Sequence, residues 1–575
     1  CPAVKQRQPN VIGAIPVAWR LPSFLTELRR RKVYHVAVVY AVVGFGVASG
    51  AQYVFEMLGF PVAAAQFVAI LIILGFPVAL VLAWAYEIRP EGPRGPEAGS
   101  TSASETPDTG QRKSIVVLPF DNLSPDPGDA YFSDGLTEEI IADLSISQSL
   151  RVISRSSAMV LRGTQKDVRT IGKELGVQYV LEGSVRKAGE SLRITAQLID
   201  AEKDHHLWAE KYDGVMDDIF SIQETVSRSI VNALRLTLDP GEEKRLSQRP
   251  VSNVQAYELS MKARQGIYSF REKEMEEAQG YLERALEMAG ENDFLIYLLA
   301  HLHYQFWNAG IRLDEEDLRL AREYADRALA LDPRSPDHLV IRGLLEITGG
   351  SGVRGYRYFE AALELDPNHP DALFWSPGVT AFFGREVEAK RRLEQLEAID
   401  PLNLFVSIFR VWVELKKGRF AAALELAREL RETRPFESLL EGAFALALAQ
   451  SGRFDEAVPV IRTAFGSRTD MIARAFGAQA CAFERDRAGA LRLMNRDFQR
   501  WAEKDFQYSE WTAQALAQIG EVDRAIAWLE TSAQRGNINY PFLNERDSFL
   551  ENIRGEPRFK ALMERVRREW EAFEP

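Results

Sequence analysis

A chain of 575 residues with 46% apolar content is too long for one hydrophobic core, because cores stop growing near ~250 to 300 residues and the chain then divides. Its net charge of -12 argues against a general nucleic-acid binder, since phosphate contact needs a clustered basic surface. Two cysteines, Cys1 and Cys481, exclude a disulfide framework and a cysteine-based zinc site and fit a reducing compartment.

The chain opens on Cys1 instead of Met, which reads as a trimmed start in preference to a lipidated cysteine. After an N-terminal segment over 1–32, Val33 to Phe55 and Val62 to Tyr86 are apolar runs of 23 and 25 residues. Each is long enough for the ~20 residues that cross a ~30 Å hydrocarbon layer. Pro61 suits a helix start and Pro77 a kink, and the short connection 56–61 makes 33–86 a two-helix transmembrane hairpin. A buried hairpin in a soluble core is the alternative. Arg29, Arg30, Arg31 and Lys32 precede the first span, Arg89 and Arg94 follow the second, and the connection has no Lys or Arg. Both ends are therefore expected in the cytoplasm, with membrane lipid as a partner. Tyr34, Tyr53, Trp84 and Tyr86 suit the interfaces, as does His35. Gly46 and Gly50 would let helices approach closely, within the hairpin or between protomers of a homo-oligomer.

Residues 87–113 are rich in Pro, Gly, Ser, Thr and charge and read as a flexible linker reaching roughly 25 to 30 Å. From 114 to 238 the periodicity alternates. Strands are predicted at 114–120 and 150–154, helices at 134–147, 168–176 and 217–237, and three strand-like runs at QYVLEGSVRKA, ESLRITAQLIDA and HLWAEKYDG. Asp134 is placed as the N-cap of the first helix, with Glu138 and Glu139 near its positive end. Ala188-Gly189-Glu190 signals a hairpin. The result is an α/β domain with a mixed sheet.

The residues SIVVLPFDNLSPDPGDAYFSDGLTEEIIADLS, YVLEGSVRKAGESLRITAQLIDA and HLWAEKYD resemble the TolB-amino-terminal-like domain. That resemblance implies a bacterial signalling protein, in which such domains follow transmembrane segments, winged-helix domains or class III adenylate cyclase domains and precede tetratricopeptide repeats. LTELRRRKVYHVAVVYAVVGF and GFPVALVLAWAYEIRPEG resemble the membrane hairpin of members with this layout. Neither a winged-helix nor a cyclase segment is found ahead of the hairpin, so the resemblance implies regulation and assembly without supplying a reaction.

The second half, 253–575, is periodic. Pro333, Pro367, Pro401 and Pro435 are 34 apart; so are Gly350, Gly384, Gly418 and Gly452, and Gly520 resumes that series after Asp486. Ala389, Ala423, Ala457 and Ala525 each follow a marked turn by five residues. Two antiparallel helices per unit need a turn residue at the first corner, a stop after the second helix, and a small side chain where the helices cross. This is the pattern of a tetratricopeptide-repeat solenoid of about eight units over 253–535, with a polar closing helix near 556–573 that would cap the stack. Such arrays bind peptides or protein surfaces in a curved groove. In this register Phe374, Phe405 and Trp412 resemble groove positions. Inter-repeat packing is the competing reading, and the commoner one for aromatic residues at helical spacing.

No phosphate-cradling loop, dinucleotide fingerprint, HExxH or GxSxG is present. His205 and His206 are adjacent on a predicted strand and point to opposite faces. His301 and His303 lie about 200° apart on a helix. The Asp217-Asp218 pair reads as a helix cap. No catalytic residue, cofactor or metal site is assigned. The expected architecture is multidomain: a transmembrane hairpin, a TolB-like α/β domain and an all-α solenoid. The expected function is that of a non-enzymatic, inner-membrane scaffold or adaptor in bacterial signalling whose partner is a protein or peptide and not nucleic acid. The alternative is a signal-transduction protein whose α/β domain senses a small ligand and controls the repeats.

Overall fold

The computed structural model describes residues 112–313, 315–434 and 437–574. The N-terminal segment, the hairpin expected at 33–86, the linker up to 111 and Pro435 lie outside the described residues. Among those described, no helix is long and apolar enough to cross a membrane.

The α/β domain is built on one mixed six-stranded sheet. β1 (Lys113–Val117) pairs in parallel with β3 (Leu150–Val152) and β4 (Tyr179–Ala188), and the two-residue β2 (Asp121–Asn122) also joins β4. β5 (Ser191–Asp200) and β6 (His205–Val215) continue antiparallel, giving the order β3-β1-β4-β5-β6. β1 ends in three consecutive apolar residues because both its faces are covered there: Ile115, Val116 and Val117 are fully buried. β5 alternates instead, with Leu192, Ile194, Ala196 and Leu198 buried and Ser191, Arg193 and Thr195 exposed. The β4–β5 connection turns at Gly189, whose φ of 60° is open to glycine at no steric cost.

α1 (Ala130–Ser145) and α4 (Ile219–Ala233) pack on each other and on the sheet, joined by the short α2 (Arg155–Val160) and by α3 (Val168–Leu175). α1 starts four residues ahead of Asp134. A 3-10 turn at Pro127–Asp129, capped by the Asp126 side chain on Gly128, feeds directly into it. Asp134 therefore lies inside the helix and pairs with Arg162. Asp218 accepts a hydrogen bond from the Val215 amide at 3.1 Å ahead of α4, and α5 (Pro240–Leu246) leads to the repeats.

The second part is an all-α solenoid of the tetratricopeptide type. Its pairs are α6/α7 (Val254–Ile267, Glu272–Ala289), α8/α9 (Asp293–Asn308, Glu315–Leu331), α10/α11 (Pro336–Thr348, Gly352–Leu365) and α12/α13 (Pro370–Phe382, Glu386–Ile399). They continue with α14/α15 (Leu404–Lys416, Phe420–Thr433), α16/α17 (Ser438–Gln450, Phe454–Phe465), α18/α19 (Met471–Phe483, Arg487–Leu493) and α21/α22 (Phe506–Gln518, Val522–Gln534). A short α20 (Arg496–Ala502), started by the Asn495 side chain on the Phe498 amide, lies between the seventh and eighth pairs. First helices are started by side chains such as Ser335, Asn403 and Asp505, which accept backbone amides that have no partner within the helix. The first corners turn at glycines in the left-handed region, such as Gly384 at φ 67° and Gly418 at φ 70°. Ala389, Ala423, Ala457 and Ala525 are fully buried where helices cross.

The described residues form one compact unit, and the chain continues beyond the eighth pair. After α22 the chain runs through short helical turns at Phe542–Arg546 and Ser548–Ile553 into α23 (Pro557–Ala572). This return segment crosses the corners of the third to fifth pairs: Arg535 donates to the Thr348 carbonyl at 2.6 Å, Asn539 to that of Ala381 at 2.9 Å, and Arg546 to that of Lys417 at 2.9 Å.

Candidate functional site

The inner wall of the solenoid is made by the first helices of the pairs. Thr348, Phe382, Lys416 and Gln450 recur every 34 residues at the ends of α10, α12, α14 and α16. Along the fourth to sixth pairs this wall faces α21, so the superhelix is closed on itself. Lys416 Nζ donates to Glu510 Oε2 at 2.6 Å, and Glu510 is fully buried. Asn537 donates to the same carboxylate at 2.6 Å and Gln514 at 2.8 Å. Gln514 and Gln450 both donate to the buried Asp547, at 2.8 and 2.9 Å. Burial pushes the Glu510 carboxyl up, and the Lys416 ammonium opposes that rise. The space left is a cavity of about 30 Å³ bordered by Phe382, Trp412, Lys416, Glu510, Trp511 and Phe542.

Trp412, singled out from the sequence, is part of this closed half, its ring 6.1 Å from Trp511. Phe374 and Phe405 lie near the opposite, N-terminal ends of α12 and α14. Phe374 meets Phe405 at 5.5 Å and Phe409 at 5.4 Å, with Trp375 at 5.1 Å. Phe409 connects this group to Trp412 at 6.1 Å. The three residues thus belong to one aromatic run whose inner end is covered and whose outer end is open, with Phe405 40% exposed.

The α/β domain bridges the first and fourth pairs. On α6, Arg264 binds Glu138 and Glu139 of α1 at 2.5 Å each, and Gln223 of α4 donates to the Tyr257 hydroxyl at 2.8 Å. At the far end the Ser154 and Ser157 hydroxyls donate to Asp400 Oδ1 at 2.5 and 2.6 Å, and the Ser154 amide donates to the Ile399 carbonyl at 2.7 Å. All three side chains are buried. Glu138 and Glu139 thus serve as anchors for Arg264 and not as helix-terminus charges.

Acid and histidine side chains gather between these contacts. His369 Nε2 lies 3.2 Å from Asp337 Oδ1. Burial alone would lower the imidazole, but Asp337, with Asp366 and Asp371, holds it up at about 9. Burial likewise opposes ionisation of Asp337, yet the His369 contact brings its carboxyl below the ordinary range. His301 is lowered by burial, and its Nε2 pairs with Gln305 at 3.1 Å; His303 pairs with Asp317 at 2.6 Å. His205 and His206 are exposed on β6. Among the described residues no cluster of three or more His, Cys, Asp or Glu is arranged to hold a metal.

A second concavity, of about 590 Å³, opens between the α/β domain and the first pair, lined by Asp129, Tyr131, Lys187, Glu258, Lys262 and Tyr281 among others. Lys187 Nζ bonds the Tyr131 hydroxyl at 2.7 Å and Glu258 at 2.8 Å. Burial would raise Glu258, but hydrogen bonds from Lys187 and Tyr131 bring it down to about 2. Sequence reasoning missed Lys416, Glu510 and the Ser154/Ser157–Asp400 contact. Only the first had a signal, a lysine at the 34-residue position that Phe382 fills one repeat earlier.

The tetratricopeptide repeat family matches residues 309–370 and 410–470. The family described as HilA/YgeH-like transcriptional regulator, second domain, matches residues 111–229. This is the segment whose sequence resembles TolB-amino-terminal-like domains, and the family that matches it is the HilA/YgeH-like one. The chain is 47% identical over 195 residues to Putative adenylate cyclase 3 of Rhizobium meliloti (strain 1021), a match that takes in 34% of this chain and 33% of the relative. The chain thus spans about a third of the length of that relative. Among solved structures it is similar to a tetratricopeptide repeat protein from Parabacteroides merdae ATCC 43184, at 15% identity over 49% of this chain and 100% of the other, with a TM-score of 0.33. Yeast Tom70 is similar at 16% identity over 62% and 80%, with a TM-score of 0.32. Lipoprotein GNA1162 from Neisseria meningitidis is similar at 18% identity over 21% and 98%, with a TM-score of 0.17. The chain carries a mixed-sheet domain followed by tetratricopeptide repeats, and such repeats generally bind protein partners.

Proposed function

We propose that this protein is a non-enzymatic scaffold in bacterial signalling or complex assembly, anchored in the inner membrane by the hairpin at 33–86 with its domains on the cytoplasmic side. The partner is a protein segment that lays an apolar side chain on the open aromatic group of α12 and α14. The observation that carries the reading is the pair Phe374 and Phe405, in mutual contact and with Phe405 40% exposed on a repeat array. An exposed aromatic group at the mouth of a groove is the usual anchor point of a protein interface. The TolB-like sequence resemblance and the name of the R. meliloti relative support a signalling setting for the α/β domain.

The test is affinity capture with the full chain, compared with Phe374→Ala/Phe405→Ala. A partner retained equally by both proteins would refute the site. Reporter fusions after residue 113 test the topology, and activity confined to the periplasm would refute it.

The second reading, a ligand-sensing protein, is favoured by the 590 Å³ concavity between the α/β domain and the first pair, since ligand sites concentrate at domain junctions. A thermal-shift screen with nucleotides and metabolites tests it. A shift abolished by Lys187→Met would support this reading over the scaffold.

A further inference from the structure

The return segment ends in an arrangement that binds a helix terminus. α23 is strongly polar and has only four buried residues along its length, Phe559, Leu562, Met563 and Val566. Its hold on the third and fourth pairs is concentrated at its C-terminal end. Phe573 is 5% exposed and inserts between Tyr356 of α11, with ring centroids 5.9 Å apart, and Phe383 at the corner after α12, at 4.9 Å. Both receiving rings are fully buried. Trp570, one helical turn earlier, lies against Tyr540 at 6.3 Å and under the Arg385 guanidinium at 5.1 Å.

Arg385 donates to the carbonyl oxygens of Trp570 and Phe573, and Arg357 donates to that of Glu574. The last carbonyls of a helix lack a full set of amide donors within it, that of Trp570 receiving only the Phe573 amide at 3.4 Å, and they carry the negative end of its dipole. Two guanidiniums therefore recognise a helix end through main-chain atoms, while two aromatic side chains supply the grip. The fit of the resident segment is incomplete. Arg385 Nε and Trp570 Nε1 are both buried without a hydrogen-bond partner, which weakens docking relative to its contacts.

The geometry points to a helix-end socket on the third and fourth pairs, formed by Tyr356, Phe383, Arg357 and Arg385. It takes the C-terminal end of a helical segment that carries aromatic residues three apart, and α23 fills it as a strap that opens without unfolding the array. The strap lies at the far ends of α11 and α12 from Phe374, so the inference goes beyond the proposed partner site and stands if that site fails.

Two measurements on the full chain test it. In amide exchange of the unaltered protein, residues 560–574 exchange at least tenfold faster than α22, and exchange as slow as α22 would overturn the strap. In the second, a fluorescent peptide of residues 555–574 is titrated against the parent, Phe573→Ala, and Phe573→Ala/Arg385→Gln. The occupied socket lowers apparent affinity by the fraction of open molecules. Phe573→Ala is therefore expected to bind the peptide at least tenfold more tightly than the parent, with the gain lost on adding Arg385→Gln. Equal binding to parent and Phe573→Ala, or binding indifferent to Arg385→Gln, would overturn the socket. Unchanged exchange across α10 to α12 in both variants confirms that the repeats remain folded.

Discussion

Lys416→Ala probes the closure of the solenoid where it is most concentrated. The Lys416–Glu510 pair joins the fifth helix pair to the eighth across 94 residues of sequence, and Glu510 is fully buried. Removing the ammonium leaves a carboxylate with only the Asn537 and Gln514 amides to hold it. Breaking one half of a buried ion pair costs about 3 to 5 kcal/mol. At about 1.4 kcal/mol per factor of ten, amides of α21 and of residues 537–550 that exchange by local opening should exchange roughly a hundredfold to a few thousandfold faster. Local exchange is the appropriate assay because repeat arrays need not unfold in one step. Lys416→Met/Glu510→Gln removes both charges while keeping an acceptor for Asn537, and should recover at least half of the loss. Exchange of α21 within threefold of the parent in Lys416→Ala, or a double variant no better than the single one, would refute the assignment of closure to this pair.

Gly384→Ala would place a Cβ 2.7 Å from Asn539 Oδ1 and 3.0 Å from Trp570 Nε1, at φ 67°. At Gly452, with φ 77°, a Cβ meets nothing within 4 Å. Gly452→Ala should cost about 1 to 2 kcal/mol from the left-handed backbone alone and Gly384→Ala about 1 to 3 kcal/mol more, read as faster exchange of 537–546. Asp400→Ala removes the acceptor for Ser154 and Ser157 and should destabilise the α2 contact by about 1.5 to 3 kcal/mol, with proteolysis of 155–165 as the readout and a smaller effect for Asp400→Asn. The His369–Asp337 contact should be pH-dependent. His369 titrates at about 9 in the folded protein against about 6.5 unfolded, so its contribution is full below pH ~6.5 and lost as pH rises through about 9. The shift corresponds to about 3 to 4 kcal/mol at most, and roughly half of that remains after screening, because Asp337 is 49% exposed. Melting temperatures from pH 6.5 to 9.5 should fall less for His369→Gln than for the parent.

The helix pairs were legible because each repeat repeats its own local physics. A glycine at the first corner and a buried alanine at the crossing recur at one interval, and self-comparison finds them without knowing what they touch. The strands of the α/β domain were legible for a similar reason, as in the alternation along β5. The start of α1 was not, since Asp134 is a good cap residue and the turn that displaces it depends on Asp126 and Pro127 acting together. Closure was illegible for a deeper reason. Asp547 and Phe573 sit in segments with no periodic partner, and their contacts, like that of Glu510 in the eighth pair, depend on the superhelical pitch, a sum of small rotations over several units that no single repeat encodes. Trp412 illustrates the consequence: its register identified an inward-facing position, but only the pitch determines that Trp511 meets it there.

Closure also changes what kind of object the solenoid is. A repeat array in which each unit touches only its neighbours responds to a partner locally. Here contacts join residues 94 to 217 apart in sequence, so the third to sixth pairs are held by the eighth pair and the return segment as well as by each other. α12 connects the two functional proposals. Phe374 near its first turn belongs to the open aromatic group, and Phe382 at its end faces the closed interior beside Phe383, which receives Phe573. Phe374 and Phe382 lie on the same thirteen-residue helix, about 12 Å apart along its axis. Pro377 lies inside this helix between them and removes one backbone hydrogen bond, so a partner that tilts the first turn of α12 to seat on Phe374 displaces the rim of the socket only as far as the tilt passes that point. Occupancy at one end and strap closure at the other therefore share one helix, and Pro377 at its middle sets how much of a tilt at Phe374 reaches Phe383.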